Sequence, residues 1–306
     1  MKLQQTKIRP THLKLNDTIG IVSTARKISK TELEFALKLF KSWGLNIVLG
    51  DNLFGNNHQF SGTVKERTAD FQKMLDNKSI KAIICARGGY GTVQIIDELN
   101  FTSFKEYPKW VVGYSDVTVL HSHLNKFGCQ SLHASMPINF EENTKESIES
   151  LKNALFGHDL QYSFNSHPLN RNGKCRAEVV GGNLSILYSL LSSPSELDLE
   201  DKILFIEDLD EYLYHIDRIM MNLKRNKSLS KLAGIIVGSM TKMHDNEVPF
   251  GKSVEEIIYD SVKEYSFPVC FNFPAGHQKN NLALPLGKRA TLDVNKTSTL
   301  KYGSTQ

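Results

Sequence analysis

Cysteine is scarce in this 306-residue chain. The four present, Cys85, Cys129, Cys175 and Cys270, lie far apart, and none forms a zinc knuckle or a C-x-x-C redox pair. A disulfide scaffold is excluded, and a chain this long buries about three quarters of its extended surface without such staples. Proline is sparse at nine residues, and no repeat or low-complexity tract occurs, so intrinsic disorder is excluded as the main state. Charge of one sign is also lacking. Thirty-seven Lys and Arg face 33 Asp and Glu, a net +4, interspersed without a basic stripe, which predicts no nucleic-acid partner. No apolar run reaches the ~18 residues of a membrane span. The opening MKLQQTKIRPTHLKL has no apolar core of a signal peptide. A cytoplasmic protein is expected, with Cys85 a small buried hydrophobe in Ile83-Ile84-Cys85-Ala86.

What is present is an alternation of short apolar runs with amphipathic ones. Thr18–Ser23, Leu45–Leu49, Ile80–Ala86 and Trp110–Gly113 read as strands. Lys30–Trp43, Thr63–Leu75, Val93–Leu99 and Val117–Leu124 carry helical spacing. This predicts an α/β fold whose N-terminal domain is a parallel, flavodoxin- or Rossmann-like sheet. After Pro137 the texture changes: 141–156 reads as a charged helix and 157–173 as irregular, so a boundary is set at 160/161. Residues 161–306 read as a smaller mixed α/β domain. Its units are a strand at Glu178–Val180, a Gly181-Gly182-Asn183 turn, a helix at Leu184–Leu191 and a strand Lys202–Glu207. A helix at Tyr212–Leu223, a strand at Leu232–Gly238, a helix at Ser253–Tyr265 and short tail strands complete it.

In a parallel sheet ligands sit beyond the carboxyl ends of the strands. Two punctuations fall there, Arg87-Gly88-Gly89-Tyr90-Gly91 and Gly113-Tyr114-Ser115-Asp116. Ser115 follows a strand and precedes a helix without a linker. Such an elbow either presents a nucleophilic hydroxyl or merely caps the helix. Val117 stands where the usual hydrolase elbow has glycine. The glycine loop matches neither G-x-G-x-x-G nor the phosphate loop, which removes a nucleotide-dependent oxidoreductase. It is either a tight turn or a donor of oxyanion N–H groups. His121 and His123 read as structural, and His133 as a cleft residue. His277 sits in a Pro-Ala-Gly-His junction that fixes its approach. Glu207 closes an apolar strand, whereas Asp208, Asp210 and Glu211 read as a solvated turn without calcium-loop spacing. Together Ser115, Glu207 and His277 are compatible with a catalytic triad at a domain interface.

Four segments in order resemble the serine LD-carboxypeptidase family, which contains murein tetrapeptide carboxypeptidases and microcin C self-immunity hydrolases. They are Ala86–Gly91, Val112–Asp116, Ile206–Asp208 with Tyr214–Arg218, and Pro274–His277. The resemblance implies Ser115 as nucleophile, Glu207 and His277 as its partners, and an oxyanion hole from the N–H of Asp116 with Gly88 or Gly89. It also implies a homodimer, no cofactor and no metal. The expected substrate is murein tetrapeptide or a related small peptide, cut between the L-centre of meso-diaminopimelate and D-alanine. Arg87 is a candidate for the substrate carboxylate and Tyr90 for shaping the pocket. Many members have arginine where Gln94 stands. The rival readings are a microcin-type hydrolase of aminoacyl nucleotides and a non-catalytic, two-lobed peptide- or sugar-binding protein.

Overall fold

A computed structural model describes residues 7–303; residues 1–6 of the opening segment read above for a leader lie outside them. The first sheet is built from β1 (Thr18–Val22), β2 (Asn46–Leu49), β3 (Ile80–Cys85), β4 (Trp110–Gly113) and β5 (Ser131–His133), all parallel, in the spatial order β2-β1-β3-β4-β5. Helices α1 (Lys30–Ser42), α2 (Val64–Asp76), α3 (Thr102–Glu106) and α4 (Thr118–Lys126) connect them. Both α1 and α2 open with a reciprocal cap, Ser29 with Glu32 and Thr63 with Glu66, which satisfies two otherwise orphaned N–H groups. The helix expected over Val93–Leu99 is instead a pair of 3-10 turns, Thr92–Gln94 and Ile96–Glu98. β-Branched residues crowd this run, which disfavours a regular α-turn.

Helix α5 (Lys145–Phe156) ends on left-handed Gly157 (φ +82°) and leads into the second sheet. Its strands are β6 (Gln161–Asn165), β7 (Gly173–Asn183), β8 (Lys202–Leu209), β9 (Gly234–Thr241) and β10 (Val269–Cys270). Strand β11 (Leu284–Leu286) returns to the first sheet, antiparallel to β5. Strands β12 (Arg289–Val294) and β13 (Thr297–Tyr302) complete the second, in the order β10-β9-β8-β7-β12-β13-β6. Strands β7 to β10 are parallel and the rest antiparallel.

The second sheet has seven strands and the first six, one of them, β11, contributed from the second half of the chain. Part of the segment expected to be irregular is β6, which buries Tyr162 and Phe164 and exposes Gln161, Ser163 and Asn165; five residues of alternation are a weak signal. Gly181-Gly182-Asn183 is the end of β7 and not a turn. The glycines (φ +128° and +144°) serve close packing instead: a Cβ on Gly181 would lie 1.9 Å from the Phe205 carbonyl oxygen.

Helices α6 (Leu184–Ser189), α7 (Leu213–Arg225) and α8 (Val254–Val262) accompany the second sheet. Ile216, Ile219 and Met220 of α7 and Ile257 and Ile258 of α8 form a core with Leu204, Ile206 and Ile235. A further apolar cluster runs through both sheets, joining Ile21, Val112 and Leu132 to Phe205, Phe273 and Leu292. The two sheets thus share buried surface, and the carboxyl ends of β3, β4 and β8 carry the residues singled out above.

Candidate active site

Between β4 and α4 the chain makes one 3-10 turn, Ser115–Val117. Ser115 sits at φ +62°, a left-handed conformation costing a side-chain-bearing residue roughly 1–2 kcal/mol. It makes no capping hydrogen bond, so helix capping does not account for it. Gly113 (φ +158°) makes the turn feasible, since a Cβ there would lie 2.8 Å from Val117. The hydroxyl faces the glycine loop: a Cβ on Gly88 would meet Ser115 Cβ at 3.2 Å and Oγ at 3.4 Å. Neither the Gly88 nor the Gly89 N–H makes a hydrogen bond among the described residues.

On the second sheet, Glu207 is fully buried and its Oε2 lies 2.7 Å from His277 Nδ1. A carboxylate only accepts, so Nδ1 carries the proton and Nε2 is left as the basic nitrogen. Burial pulls the His277 pKa down, but the charge and hydrogen bond of Glu207, helped by Asp208, outweigh it and hold it above the ordinary value. Gly276 (φ +111°) allows the approach, because a Cβ there would lie 2.8 Å from Glu207. The Gly276 N–H donates to Asn281 Oδ1 at 2.8 Å and the Thr241 hydroxyl to the His277 carbonyl at 3.3 Å. The Tyr114 ring, one residue before Ser115, lies 4.9 Å from the His277 ring. That contact brings the serine elbow to the Glu207–His277 pair.

Two networks missed by sequence reasoning fix these parts. In one, the Asn183 N–H donates to Thr118 Oγ1 at 3.0 Å, and the Asn183 amide donates to Asp208 Oδ1 at 2.9 Å. Asp208, expected in a solvated turn, is 1% exposed. It continues β8, which ends at Leu209 and not at Glu207, and it also accepts the N–H groups of Ser185 and Leu209. Burial, then the Glu207 charge, push its carboxyl up to about 6. Asp210 does lie at the surface, paired with His244, and Glu211 with His215.

In the other network, buried Asp116 accepts the Thr92 N–H at 2.8 Å. Arg67, 2% exposed, donates to the carbonyls of Thr24 (2.6 Å) and Gly91 (2.8 Å) and to Gln94 Oε1 (2.7 Å). The Gly91–Thr92 peptide is thus held from both ends, its carbonyl by Arg67 and its N–H by Asp116. Gln94, singled out above as a departure from the family pattern, accepts a guanidinium N–H from α2. A sequence signal existed: Arg67 shares the buried face of α2 with Phe71 and Met74, at i, i+4 and i+7.

The remaining expected residues fall differently. Arg87 reaches α1, donating to the Lys27 carbonyl at 3.2 Å and lying 3.7 Å from Glu32. Tyr90 is half exposed, with its ring near Phe60. His121 is structural as expected, bonded to Ser131 and the Gly113 carbonyl and pushed down to about 4 by burial. His133 does not line the cleft; it is fully buried beneath it, between the rings of Tyr114 and Phe205.

Among the described residues Ser115 Oγ makes no hydrogen bond to His277; the Tyr114–His277 ring contact is what links the two. A hydroxyl on a strained elbow and a carboxylate-oriented imidazole joined in this way are the equipment of a serine hydrolase. The chain belongs to the LD-carboxypeptidase family: residues 19–134 match the LD-carboxypeptidase N-terminal domain and 176–292 the C-terminal domain. It is 32% identical over 302 residues to a probable murein peptide carboxypeptidase of Bacillus subtilis, covering 96% of this chain and 95% of that protein. Its fold is similar to that of muramoyltetrapeptide carboxypeptidase from Oxalobacter formigenes (TM-score 0.85, 24% identity, 94% and 98% of the two chains). It is equally similar to that of the microcin immunity protein MccF in complex with glutamyl sulfamoyl guanosine (TM-score 0.85, 23% identity, 98% and 99%). At family level, then, this protein is a serine carboxypeptidase acting on peptide-like substrates.

Proposed function

We propose that this enzyme removes terminal D-alanine from murein tetrapeptides by hydrolysing the amide that follows the L-centre of meso-diaminopimelate. Ser115 is the nucleophile, His277 the base and Glu207 the residue orienting it. The observation carrying this reading is the 2.7 Å contact of His277 Nδ1 with buried Glu207, beside the Tyr114–Ser115 elbow. The Bacillus subtilis relative, a probable murein peptide carboxypeptidase, supports the substrate. A nucleophile-bearing unit over 1–160, flavodoxin- or Rossmann-like in its β2-β1-β3-β4-β5 order, and a second unit over 161–306 agree with it.

In this mechanism Ser115 Oγ attacks the scissile carbonyl and gives its proton to His277 Nε2. Glu207 stabilises the resulting imidazolium. N–H groups of Asp116 and of Gly88 or Gly89 receive the tetrahedral oxyanion; one such donor is worth about 3–4 kcal/mol. His277 then protonates the departing amine as the C–N bond breaks, releasing D-alanine. Water, deprotonated by His277, attacks the acyl-enzyme, frees the shortened peptide and restores Ser115.

A second reading, hydrolysis of an aminoacyl-nucleotide amide, draws on exposed ring surface beyond β8. Tyr212 and Tyr214 are 43% and 40% exposed, 5.4 Å apart, with the His244 ring 5.4 Å from Tyr212, which suits stacking of a nucleobase.

Incubation with murein tetrapeptide, followed by mass spectrometry, tests the primary reading. Loss of one alanine that Ser115→Ala abolishes is the expected result. A folded wild-type protein that releases none overturns it.

A further inference from the structure

A carboxypeptidase must recognise a free terminal carboxylate, and arginine suits that task through paired N–H donors in one plane. Arg87 is committed elsewhere, to the Lys27 carbonyl and to Glu32. Arg26 is differently placed. It follows β1, and β1, β3 and β4 are neighbours in the first sheet. Arg26, the glycine loop and Ser115 therefore lie beyond the carboxyl ends of three adjacent strands, at the point where the strand order reverses and ligands bind.

The Arg26 backbone is fixed: its N–H donates to the Gly88 carbonyl at 3.4 Å, and its carbonyl accepts the Ser23 hydroxyl at 2.6 Å. Its side chain lies across Gly89. A Cβ built there, where φ is +117°, would sit 2.6 Å from Arg26 Cγ and Cδ and 3.0 Å from Nε. The same loop meets Ser115 Oγ at Gly88, about 3.8 Å away along the chain. Arg26 is exposed, and among the described residues its hydrogen bonds are those of its backbone, with no ion pair or hydrogen bond from the guanidinium. The glycine loop thus touches the Ser115 hydroxyl at Gly88 and the Arg26 side chain at the next residue.

We infer that Arg26 is the carboxylate anchor of the site, binding the α-carboxylate of the residue that leaves. This rests on the reading of Ser115 as the nucleophile. It restricts the substrates to peptides ending in a free acid, and Gly89 is glycine because a side chain would displace the anchor.

The test compares murein tetrapeptide with the same peptide ending in D-alaninamide, on wild type, Arg26→Gln, Arg26→Lys and Arg87→Gln. Steady-state kinetics are paired with calorimetric binding to the same proteins carrying Ser115→Ala. Arg26→Gln is expected to raise KM and Kd for the acid about 10- to 100-fold, with kcat within about threefold of wild type. It should leave the amide unchanged and so erase the preference for the acid. Arg26→Lys should recover part of it, and Arg87→Gln should keep it. The inference fails if the acid is cut and bound normally by Arg26→Gln, or if Arg87→Gln carries the loss. A wild-type protein that neither cuts nor binds either peptide overturns the murein reading and this inference with it.

Discussion

The hydroxyl of Thr118, three residues beyond Ser115, accepts the N–H of Asn183 at 3.0 Å, and Asn183 is the register partner of Glu207 between β7 and β8. One hydrogen bond therefore ties the helix that follows the serine to the strand paired with the one that carries the glutamate. Gly182 makes the contact feasible, because a Cβ there would lie 2.5 Å from Thr118 Oγ1. Gly182→Ala is expected to lower kcat about 100-fold while far-UV circular dichroism stays native, as displacements near 1 Å do in catalytic sites. Unchanged kcat in a folded variant would remove this contact from the account of the site.

Ser115 holds a left-handed conformation that glycine adopts freely. Ser115→Gly should abolish hydrolysis yet be about 1 kcal/mol more stable than Ser115→Ala in urea unfolding. Equal stability of the two would mean that the elbow stores no strain.

His277 must be neutral to accept the serine proton. Glu207 and Asp208 hold its pKa above the ordinary value against burial, so activity should rise with pH through a midpoint above the usual histidine range. Glu207→Gln removes the larger opposing charge and leaves only Asp208 against burial. The midpoint should fall and kcat should drop about 10⁴-fold. A pH–rate profile of the two proteins checks both, and a midpoint that does not move would detach Glu207 from His277.

Arg67 and Asp116 hold the Gly91–Thr92 peptide between them. Arg67→Met should loosen the glycine loop, lowering kcat about 10- to 100-fold with KM nearly unchanged; Arg67→Lys should retain more activity. Stopped assays at two temperatures well below each variant's Tm separate loop positioning from loss of folded protein.

Lys109, 1% exposed, donates to the carbonyls of Met74, Leu75 and Asn77 at the end of α2, and burial pushes its pKa down to about 8. Between that value and the unfolded one the unfolded chain binds more protons, so stability contributed by this group rises with pH from about 8 to 10.5. Lys109→Met should erase that slope and cost about 2 kcal/mol at pH 7 by leaving carbonyls unpartnered. Denaturant melts across this range read both effects.

Local chemistry makes the alternation of strands and helices legible in the sequence. Four-residue apolar runs such as Trp110–Gly113, and capped amphipathic helices such as Lys30–Ser42, take their form from neighbours in the chain. Ser115 and His277 could be singled out for the same reason, since each sits where glycine or proline shapes its own turn. β6 and the Gly181–Asn183 segment differ from expectation because partners remote in sequence decided them: β13 for the first, Thr118 and Phe205 for the second.

The pairing of Glu207 with His277, the burial of Asp208, the Arg67 clamp and the contrast between Arg26 and Arg87 depend on side chains meeting across tens of residues. Sequence determined which groups carry chemistry and where the chain turns. Tertiary structure alone decided which of those groups meet, because a hydrogen bond or an ion pair depends on a few ångströms of distance that residue order does not encode.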